Sequence, residues 1–362
     1  MRPEAIEAMA PFLADRFANP SGAHRTARDA RRAVDEARDV VAEALGCRPG
    51  EVVFTGGGTE ADNMAVLGTV RRHGGTAVTT AIEHHAVLHS VEHLGGRFVG
   101  VDATGVVDLD ALADALDPSV RVVSVMLANN EVGTIQPLAA VAAVVRERAP
   151  EAVLHTDAVQ SLTWLDVAAD AAVADLVALS AHKHGGPKGV GVLVVRDGVT
   201  LEPLLFGGGQ ERHRRSGTHN VAGIVAMAEA MRITVAERAD VVARVTTLRS
   251  SLVAGLVASV DGLHETVPAA VKVAGSAHLC VEGVESEALL YLLEQGGVMA
   301  SAGSSCASGA LEISHVLRAM GVAKEWAAGS VRLSLGAGST PADVDQVLEV
   351  LPPAVAQLRR RR

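Results

Sequence analysis

A polar turn between two apolar runs lies at the centre of the chain, in Asp175-Leu-Val-Ala-Leu-Ser-Ala-His-Lys-His-Gly-Gly-Pro-Lys-Gly-Val-Gly-Val-Leu-Val-Val195. The apolar runs predict two short strands, and Lys183 stands in the turn between them. The glycines allow backbone to approach a ligand closely, and Ser180 and His182 offer donors that suit a phosphate. The chain has only four lysines, at positions 183, 188, 272 and 324. On these residues alone, an ordinary strand connection with solvated lysines explains the pattern equally well.

The composition indicates a large aliphatic core. Of 362 residues, 49% are hydrophobic and only 2% are aromatic, and this length predicts more than one domain. A formal net charge of −10 argues against general binding to nucleic acid or to a membrane surface. The chain shows no signal peptide and no uninterrupted apolar run of membrane length, so we expect a cytoplasmic protein. The three cysteines have neither CxxC nor His-rich neighbours, so we expect no bound metal.

A second glycine-rich turn follows the predicted strand Glu51–Thr55. Gly56-Gly57-Gly58-Thr59 stands between this strand and a helical pattern that resumes at Ala61. A strand, a glycine loop and a helix start in this order form an anion site, because the free N–H groups and the dipole of the helix point at the loop.

Predicted strands and helices then alternate as far as residue 195. This alternation predicts an α/β domain whose mostly parallel sheet is covered on both faces. Ligands of such sheets lie beyond the carboxyl ends of the strands. Polar clusters that contain His84, Asn130 and Asp157 each directly follow a predicted strand. The predicted strands are at about 76–80, 97–101, 120–126, 152–156, 175–179 and 190–195.

A smaller α+β module follows a long predicted helix at about 221–257. We expect a large domain over residues 1–238 and a small C-terminal domain over residues 239–362. The small domain ends in a helix that starts at Pro341 and that Pro352-Pro353 should interrupt.

The polar clusters suggest pyridoxal 5'-phosphate (PLP). This cofactor needs a lysine for its Schiff base, a carboxylate at its pyridine nitrogen and donors for its phosphate. Lys183 is the candidate lysine and Asp157 the candidate carboxylate. Thr59, Ser180 and His182 are the candidate phosphate donors.

A set of motifs carries a specific family resemblance. The chain resembles the cysteine desulfurases, in the class V aminotransferase group of fold-type I PLP enzymes. The resemblance implies a mostly parallel seven-stranded sheet in the large domain. The motifs lie in order across most of the chain: Val53-Phe-Thr-Gly-Gly-Gly-Thr-Glu-Ala-Asp-Asn63, Glu83-His84, Asn129-Asn-Glu-Val-Gly133, His155-Thr-Asp-Ala-Val-Gln-Ser161, Ser180-Ala-His-Lys183, Gly207-Gly-Gly-Gln-Glu-Arg212, Arg215-Ser-Gly-Thr218, Gly303-Ser-Ser-Cys306 and Val331-Arg-Leu-Ser-Leu-Gly336.

The resemblance implies roles around the cofactor ring. By it, Lys183 forms the Schiff base and Asp157 pairs with the pyridine nitrogen. Gln160 hydrogen-bonds the phenolic oxygen of the ring, and His84 stacks on the ring and carries protons.

The resemblance also implies the phosphate site and a homodimer. Gly58, Thr59, Ser180 and His182 belong to the phosphate site of one subunit. Thr218 reaches that site from the other subunit of the dimer.

The reaction follows from the resemblance at Cys306. By the resemblance, Asn130 contacts the cofactor or the substrate, and Arg332 pairs with the carboxylate of L-cysteine, since a guanidinium meets a carboxylate bidentately. The thiolate of Cys306 then takes the substrate sulfur as a persulfide and L-alanine leaves. We interpret Cys47 and Cys280 as structural cysteines.

Other functions remain open at this point. The chain could be a selenocysteine lyase, another class V PLP lyase or aminotransferase, or a truncated PLP-fold scaffold without activity. The acceptor of the sulfur is also open, with an iron–sulfur scaffold protein and a relay for tRNA or cofactor thiolation among the candidates. Relatives begin with a short strand and an Ala-Thr-Thr-Pro-like turn, which this sequence lacks. We therefore expect either a start assigned too late or a missing part of the site wall.

Overall fold

The polar turn at Lys183 joins two strands of a seven-stranded sheet. The computed structural model describes residues 1–302 and 313–360. Cys306 lies outside the described residues. The strands are β1 Val52–Thr55, β2 Thr76–Thr80, β3 Arg97–Val99, β4 Val120–Ser124, β5 Val153–Asp157, β6 Leu176–Ser180, β7 Gly191–Val195, β8 Leu263–Glu265, β9 Ser276–Val281 and β10 Ser330–Ser334. The helices are α1 Pro3–Met9, α2 Arg25–Ala44, α3 Gly58–His73, α4 His85–His93, α5 Leu109–Ala115, α6 Leu138–Arg148, α7 Val167–Asp170, α8 Val221–Ser259, α9 Ser286–Gln295, α10 His315–Ala319, α11 Lys324–Ala327 and α12 Pro341–Arg359.

The large sheet confirms the predicted α/β class. Its strand order is β1-β7-β6-β5-β4-β2-β3, and neighbouring strands from β6 to β3 run parallel. Only β7 runs antiparallel to its neighbours, β1 and β6. Because β7 is antiparallel to both of these neighbours, β1 and β6 point in the same direction. The turns after β1, β2, β5 and β6 therefore lie at one edge of the sheet.

Contacts divide the described chain into two compact units. Unit 1 comprises Met1–Val99, Leu109–Leu127 and Gln136–Arg238. Unit 2 comprises Gly100–Asp108, Ala128–Ile135 and the described residues from Ala239 onward. The predicted division after residue 238 assigns residues 100–108 and 128–135 to the first domain. Here they group with unit 2, because Thr134 pairs with Lys272 and its Oγ1 donates to the carbonyl of Thr104 at 2.6 Å.

The small sheet of unit 2 has the antiparallel order β10-β9-β8. Its central strand β9 is buried along its whole length. The sequence analysis gave no signal for β8, a three-residue strand with one buried side chain. A strand this short has no clear periodicity.

Helix α8 is long and apolar enough to span a membrane by length and composition, alone among the described helices. Its contacts in unit 1 are those of a helix packed on a protein. Ala226 and Ala230 pack against Ala5, and Thr234 Oγ1 donates to the carbonyl of His184 at 3.0 Å. The length of α8 alone is therefore weak evidence for a membrane span.

The predicted interruption of the last helix is wrong, because α12 continues through Pro352 and Pro353. Each proline removes a backbone donor and crowds the preceding turn. Leu351, Ala354 and Val355 are buried on either side of the prolines. We attribute the continuity of α12 to this packing, which offsets the cost of the prolines.

Substitution of Gly191 tests how closely β7 packs against the turn after β1. A Cβ atom at Gly191 would lie 2.7 Å from the carbonyl carbon of Gly57 and 2.7 Å from the carbonyl oxygen of Leu179. Backbone atoms cannot rotate away, so we expect Gly191→Ala to lower the free energy of unfolding by about 2 kcal/mol. Gly100→Ala is the control, since its Cβ would meet open space. Equal urea-unfolding midpoints for the two variants would contradict this account.

Candidate active site

Helix α3 begins directly at the glycine turn that follows β1. Gly57 has a φ of 148°, and Glu60 Oε2 accepts a hydrogen bond from the amide of Gly56 at 2.8 Å. The first N–H groups of a helix have no partner inside the helix and carry its positive dipole end. Gly58 and Thr59 contribute these groups, so the start of α3 can bind an anion.

The turn after β6 lies beside the start of α3. Ser180 Oγ and His182 Nδ1 are 2.8 Å apart. A Cβ atom at Gly58 would lie 3.4 Å from Ser180 Cβ and 2.8 Å from Val159 Cγ2. The absence of a side chain at Gly58 therefore keeps open the space between the helix start, Ser180 and the residues after β5. Thr59, Ser180 and His182 are thus brought to one place, as the sequence predicts.

Asp157 is a buried carboxylate at the end of β5. Its Oδ1 accepts a hydrogen bond from the amide of Val159 at 2.8 Å. Burial raises the pKa of Asp157 to about 6, while the Val159 amide and the positive charge of Lys183 act to lower it. Lys183 itself is exposed in the turn after β6. A buried carboxylate and an exposed amine thus lie within electrostatic reach of each other, and Gln160 is half-buried just beyond Asp157.

His84 is the N-cap of α4 and is half-buried. Its Nδ1 accepts a hydrogen bond from the amide of Ala86 at 3.1 Å. A neutral His84 that accepts at Nδ1 carries its proton on Nε2. The cap therefore fixes both the ring orientation and the tautomer.

A strained loop carries Thr218. Three consecutive residues that are not glycine, Glu211, Arg212 and His213, have positive φ angles of 49°, 56° and 65°. Such angles are costly for side-chain-bearing residues and persist only where the surroundings hold them. Thr218 is exposed in the single chain.

Glu211 anchors this loop to α2 and β1. Its carboxylate accepts two hydrogen bonds from Arg38, at 2.7 and 2.9 Å, and one from the Phe54 amide at 3.1 Å. His219 Nε2 lies 2.6 Å from Glu211 Oε1. The sequence analysis quoted Glu211 within a motif but missed this anchor, because its partner Arg38 lies far away in the sequence.

In unit 2, Arg332 and Asn130 contact each other. Arg332 Nη1 donates to the carbonyl of Asn130 at 2.7 Å, and the backbone of Arg332 pairs with Ser301. Arg332 Nε and Asn130 Oδ1 are buried and have no hydrogen-bond partner among the described residues. An N–H donor and an amide oxygen without partners among the described residues suit the carboxylate and the ammonium of an amino acid.

Glu131 connects the Asn130 turn to α10, a contact that the sequence analysis missed. Ser314 Oγ donates to Glu131 Oε2 at 2.5 Å and accepts from the amides of Val316 and Leu317. Burial raises the pKa of Glu131 to about 7, against the opposing effects of Ser314 and Arg332. Ser314 alone could have been found from the sequence, as a serine before a short helix.

Comparison with known proteins identifies the family. Residues 1–347 match the model of the family described as aminotransferase class-V. The chain belongs to this family, which is PLP-dependent. Within it, the chain is an IscS/NifS-like cysteine desulfurase.

Individual relatives agree with this assignment over the full chain. The IscS-like cysteine desulfurase of Mycobacterium tuberculosis is 46% identical over 375 residues, which cover 99% of this chain and 95% of the relative. The structure of a NifS-like protein superposes with a TM-score of 0.92 at 36% identity, covering 99% of this chain and 96% of the other. The structure of SspA in complex with cysteine has a TM-score of 0.81 at 30% identity, with 94% and 97% covered.

The hydrogen bonds of Glu211 predict how the stability of the protein depends on pH. Burial alone would raise the pKa of Glu211, but the hydrogen bonds from His219 and Arg38 and their charges lower it to about 2. A lowered carboxylate pKa contributes stability above the unfolded-state value of 4.5, and this contribution is lost as the pH falls toward 2. At pH 7 we expect Glu211→Gln to lower the free energy of unfolding by about 3 kcal/mol.

Urea unfolding of the wild-type protein and of Glu211→Gln at a series of pH values checks this prediction. The difference in the free energy of unfolding between the two proteins should be constant from pH 7 to pH 5 and should shrink below pH 4.5. Glu229→Gln is the control, because Glu229 pairs with Arg232 on the exposed side of one helix. A difference in the free energy of unfolding that grows as the pH falls would contradict the anchoring role of Glu211.

Proposed function

We propose that unit 1 holds PLP at the carboxyl edge of the large sheet and that the chain converts L-cysteine to L-alanine. The observation that carries this proposal is the convergence of three groups at one edge. They are the open helix start at Gly58, the donors Ser180 and His182, and the buried Asp157 within electrostatic reach of Lys183. This donor set fits a phosphorylated pyridine aldehyde, which needs an anion site, a carboxylate and an amine.

Each residue has a distinct task toward the cofactor. Thr59 and the first amides of α3, with Ser180 and His182, bind the phosphate. Asp157 holds the proton of the pyridine nitrogen with its second carboxylate oxygen, since Oδ1 already accepts from Val159. Gln160 donates to the phenolic oxygen. When bound, PLP supplies the electron sink that makes the α-proton of an amino acid acidic.

Lys183 and His84 handle covalent attachment and protons. The amine of Lys183 would anchor the cofactor covalently. His84 would stack on the cofactor ring and would hold a proton on Nε2, as its cap to Ala86 requires. Thr218 completes the phosphate site of the partner subunit in a homodimer, a role consistent with its exposure in the single chain.

In unit 2, Arg332 and Asn130 bind the substrate. The Nε of Arg332, which has no partner in the part of the chain that the structure describes, and the remaining guanidinium donors take the carboxylate of L-cysteine. Because Nη1 is held by the carbonyl of Asn130, the guanidinium is oriented before the substrate arrives.

Cys306 receives the sulfur. Its thiolate attacks the sulfur of the substrate, the new S–S bond forms as the C–S bond breaks, and the electron pair left on carbon takes up a proton to give L-alanine. The step needs no external oxidant, because the carbon is reduced as the sulfur is oxidised to the persulfide level. Burial raises the pKa of Cys47 to about 11 and also raises that of Cys280, which supports a different cysteine as the nucleophile.

The sulfur of Cys306 then passes to an acceptor protein. We propose an iron–sulfur scaffold protein or a relay for tRNA or cofactor thiolation as the acceptor, and the cytoplasm as the location. SspA, a structural relative, has been solved in complex with cysteine, which supports L-cysteine as the substrate here. A selenocysteine lyase is the alternative, and parallel assays with the two amino acids distinguish them.

Assays of alanine release under reducing conditions test the function. We expect Lys183→Ala to abolish turnover and the visible absorption of bound PLP. Cys306→Ala should keep that absorption but reduce alanine release from L-cysteine to background, because the sulfur has no acceptor. Cys47→Ser is the matched control and should retain full activity. Unchanged sulfur release by Cys306→Ala would refute the persulfide route, and PLP binding without any turnover by the wild-type protein would favour the scaffold alternative.

Substitution of Arg332 tests the carboxylate site. We expect Arg332→Lys to raise KM for L-cysteine by roughly tenfold to a hundredfold, since one charge-assisted hydrogen bond of the guanidinium fork is lost. PLP binding should not change, because Arg332 belongs to the substrate site. An unchanged KM would show that another group binds the carboxylate.

A further inference from the structure

Glu131 is a buried carboxyl group beside the residues proposed to bind the substrate. It directly follows Asn130, whose carbonyl accepts the hydrogen bond from Arg332 Nη1 at 2.7 Å. Glu131 is 3% exposed, and the function proposed above gives it no task. A buried carboxylate has lost its hydration, so hydrogen bonds or a positive charge have to stabilise it. The groups around Glu131 therefore decide whether it carries a proton.

Three elements of unit 2 surround Glu131. Ser314, directly before α10, donates to Glu131 Oε2 at 2.5 Å. Ser276, at the start of β9, donates to the backbone carbonyl of Glu131 at 3.5 Å. Arg332 on β10 supplies the positive charge that acts on the carboxyl group. Among the described residues, the charge that stabilises ionised Glu131 is thus the charge proposed to bind the substrate.

The hydrogen bond from Ser314 is compatible with both protonation states of Glu131. Ser314 Oγ accepts from the amides of Val316 and Leu317 at 3.1 and 3.3 Å. Its one proton is therefore directed at Glu131 Oε2, and that oxygen can accept whether or not the other oxygen carries a proton. A change in the charge of Glu131 requires no rearrangement of this contact.

Burial and charge act on Glu131 in opposite directions. Burial raises the pKa of Glu131 to about 7, while the hydrogen bond from Ser314 and the charge of Arg332 act to lower it. A negative charge bound to Arg332 cancels part of the positive charge that stabilises the carboxylate, so the pKa of Glu131 should then rise further. The carboxylate of a bound amino acid is such a negative charge.

We propose that Glu131 is a proton-coupled positioning residue of the substrate site: when the carboxylate of L-cysteine binds to Arg332, Glu131 takes up a proton from solvent and leaves the charge of the guanidinium to the substrate. Before binding, ionised Glu131 balances Arg332. After binding, the substrate carboxylate balances Arg332, and the net charge of the site is unchanged. The coupling depends on the proposed function in one respect, which is that Arg332 binds the substrate carboxylate.

The uptake of a proton makes the affinity for a carboxylate depend on pH. Below the pKa of Glu131 in the unliganded protein, the proton is already present and the affinity is at its maximum. Above this pKa the proton has to be taken up, so the affinity falls until the pH exceeds the raised pKa of the complex. A pKa that rises by one unit on binding corresponds to a tenfold loss of affinity. We therefore expect a loss of about tenfold between pH 6 and pH 9.

Infrared titration of the full-length protein without substrate tests whether Glu131 responds to the charge of Arg332. The C=O band of the protonated carboxyl group is assigned to Glu131 by its absence in Glu131→Gln. Arg332→Gln removes the positive charge, so the pH midpoint of this band should rise by about one unit. Glu83 is the internal control. Burial raises its pKa to about 8, and the charge that acts on it is that of Asp157, so its band should keep its midpoint in both variants.

Binding of ¹³C-labelled propionate to the holoenzyme, followed by NMR, tests the coupling to the substrate. Propionate has the carboxylate of L-cysteine without its amino and thiol groups, so its own charge is constant from pH 6 to pH 9. Saturating propionate should raise the infrared midpoint of Glu131 by about one unit. The dissociation constant of propionate should increase about tenfold from pH 6 to pH 9 in the wild-type protein.

Two variants separate the charge of Glu131 from its shape. Glu131→Gln keeps the shape and an acceptor for Ser314 but has no charge. Its dissociation constant for propionate should be independent of pH and close to the wild-type value at pH 6. Glu229→Gln is the control and should keep the wild-type pH dependence, because Glu229 pairs with Arg232 on the exposed side of one helix.

Two results would overturn the coupling itself. One is a Glu131 midpoint that stays unchanged in Arg332→Gln. The other is a dissociation constant that remains pH-dependent in Glu131→Gln, since another group would then take up the proton. Propionate binding that persists in Arg332→Gln would refute the proposed substrate site, and the proton uptake by Glu131 would fall with it. The infrared midpoints without ligand distinguish this case, because they would still shift in Arg332→Gln.

Discussion

A carboxylate buried at the end of a strand requires compensation, and the site of this protein is arranged around that requirement at Asp157. Strands β5 and β6 are parallel neighbours, so Asp157 at the end of one and Lys183 in the turn after the other come within electrostatic reach. The reversed strand β7 keeps β1 in the same direction as β6 and brings the glycine turn before α3 to the same edge. One sheet edge thus supplies a negative charge, an amine and an anion site.

The residues proposed to bind the substrate belong to unit 2 and are held by hydrogen bonds within that unit. There the guanidinium of Arg332 is held by the carbonyl of Asn130, and the neighbouring Glu131 is tied to Ser314 at the start of α10. Arg332, the proposed substrate residue, and the turn beside Asn130 are therefore fixed by hydrogen bonds within unit 2. The residues proposed for the cofactor follow strands of the large sheet, and Arg332, proposed for the substrate, lies on β10 of the small sheet.

The sequence predicted the features that depend on local pattern. It did not predict the features that depend on contacts between residues far apart in the chain. The apolar run before Ser180 and the glycine turn before Thr59 are local signals, and the strands and the helix start were found from them. Pro352 and Pro353 predicted a helix break that buried neighbours override. The anchor at Glu211 and the contact of Glu131 with Ser314 could not be predicted, because each joins elements whose contact exists only in the folded chain.

Direct identification of the sulfur-bearing residue tests the account most closely. The wild-type protein, loaded with PLP, is incubated with one equivalent of L-cysteine, alkylated without reduction and mapped by peptide mass spectrometry. The account predicts an alkylated persulfide on the peptide that contains Cys306, formed together with L-alanine, and only plain alkylation on Cys47 and Cys280. Alanine formed without a persulfide on Cys306, or with one on Cys47 or Cys280, would contradict it.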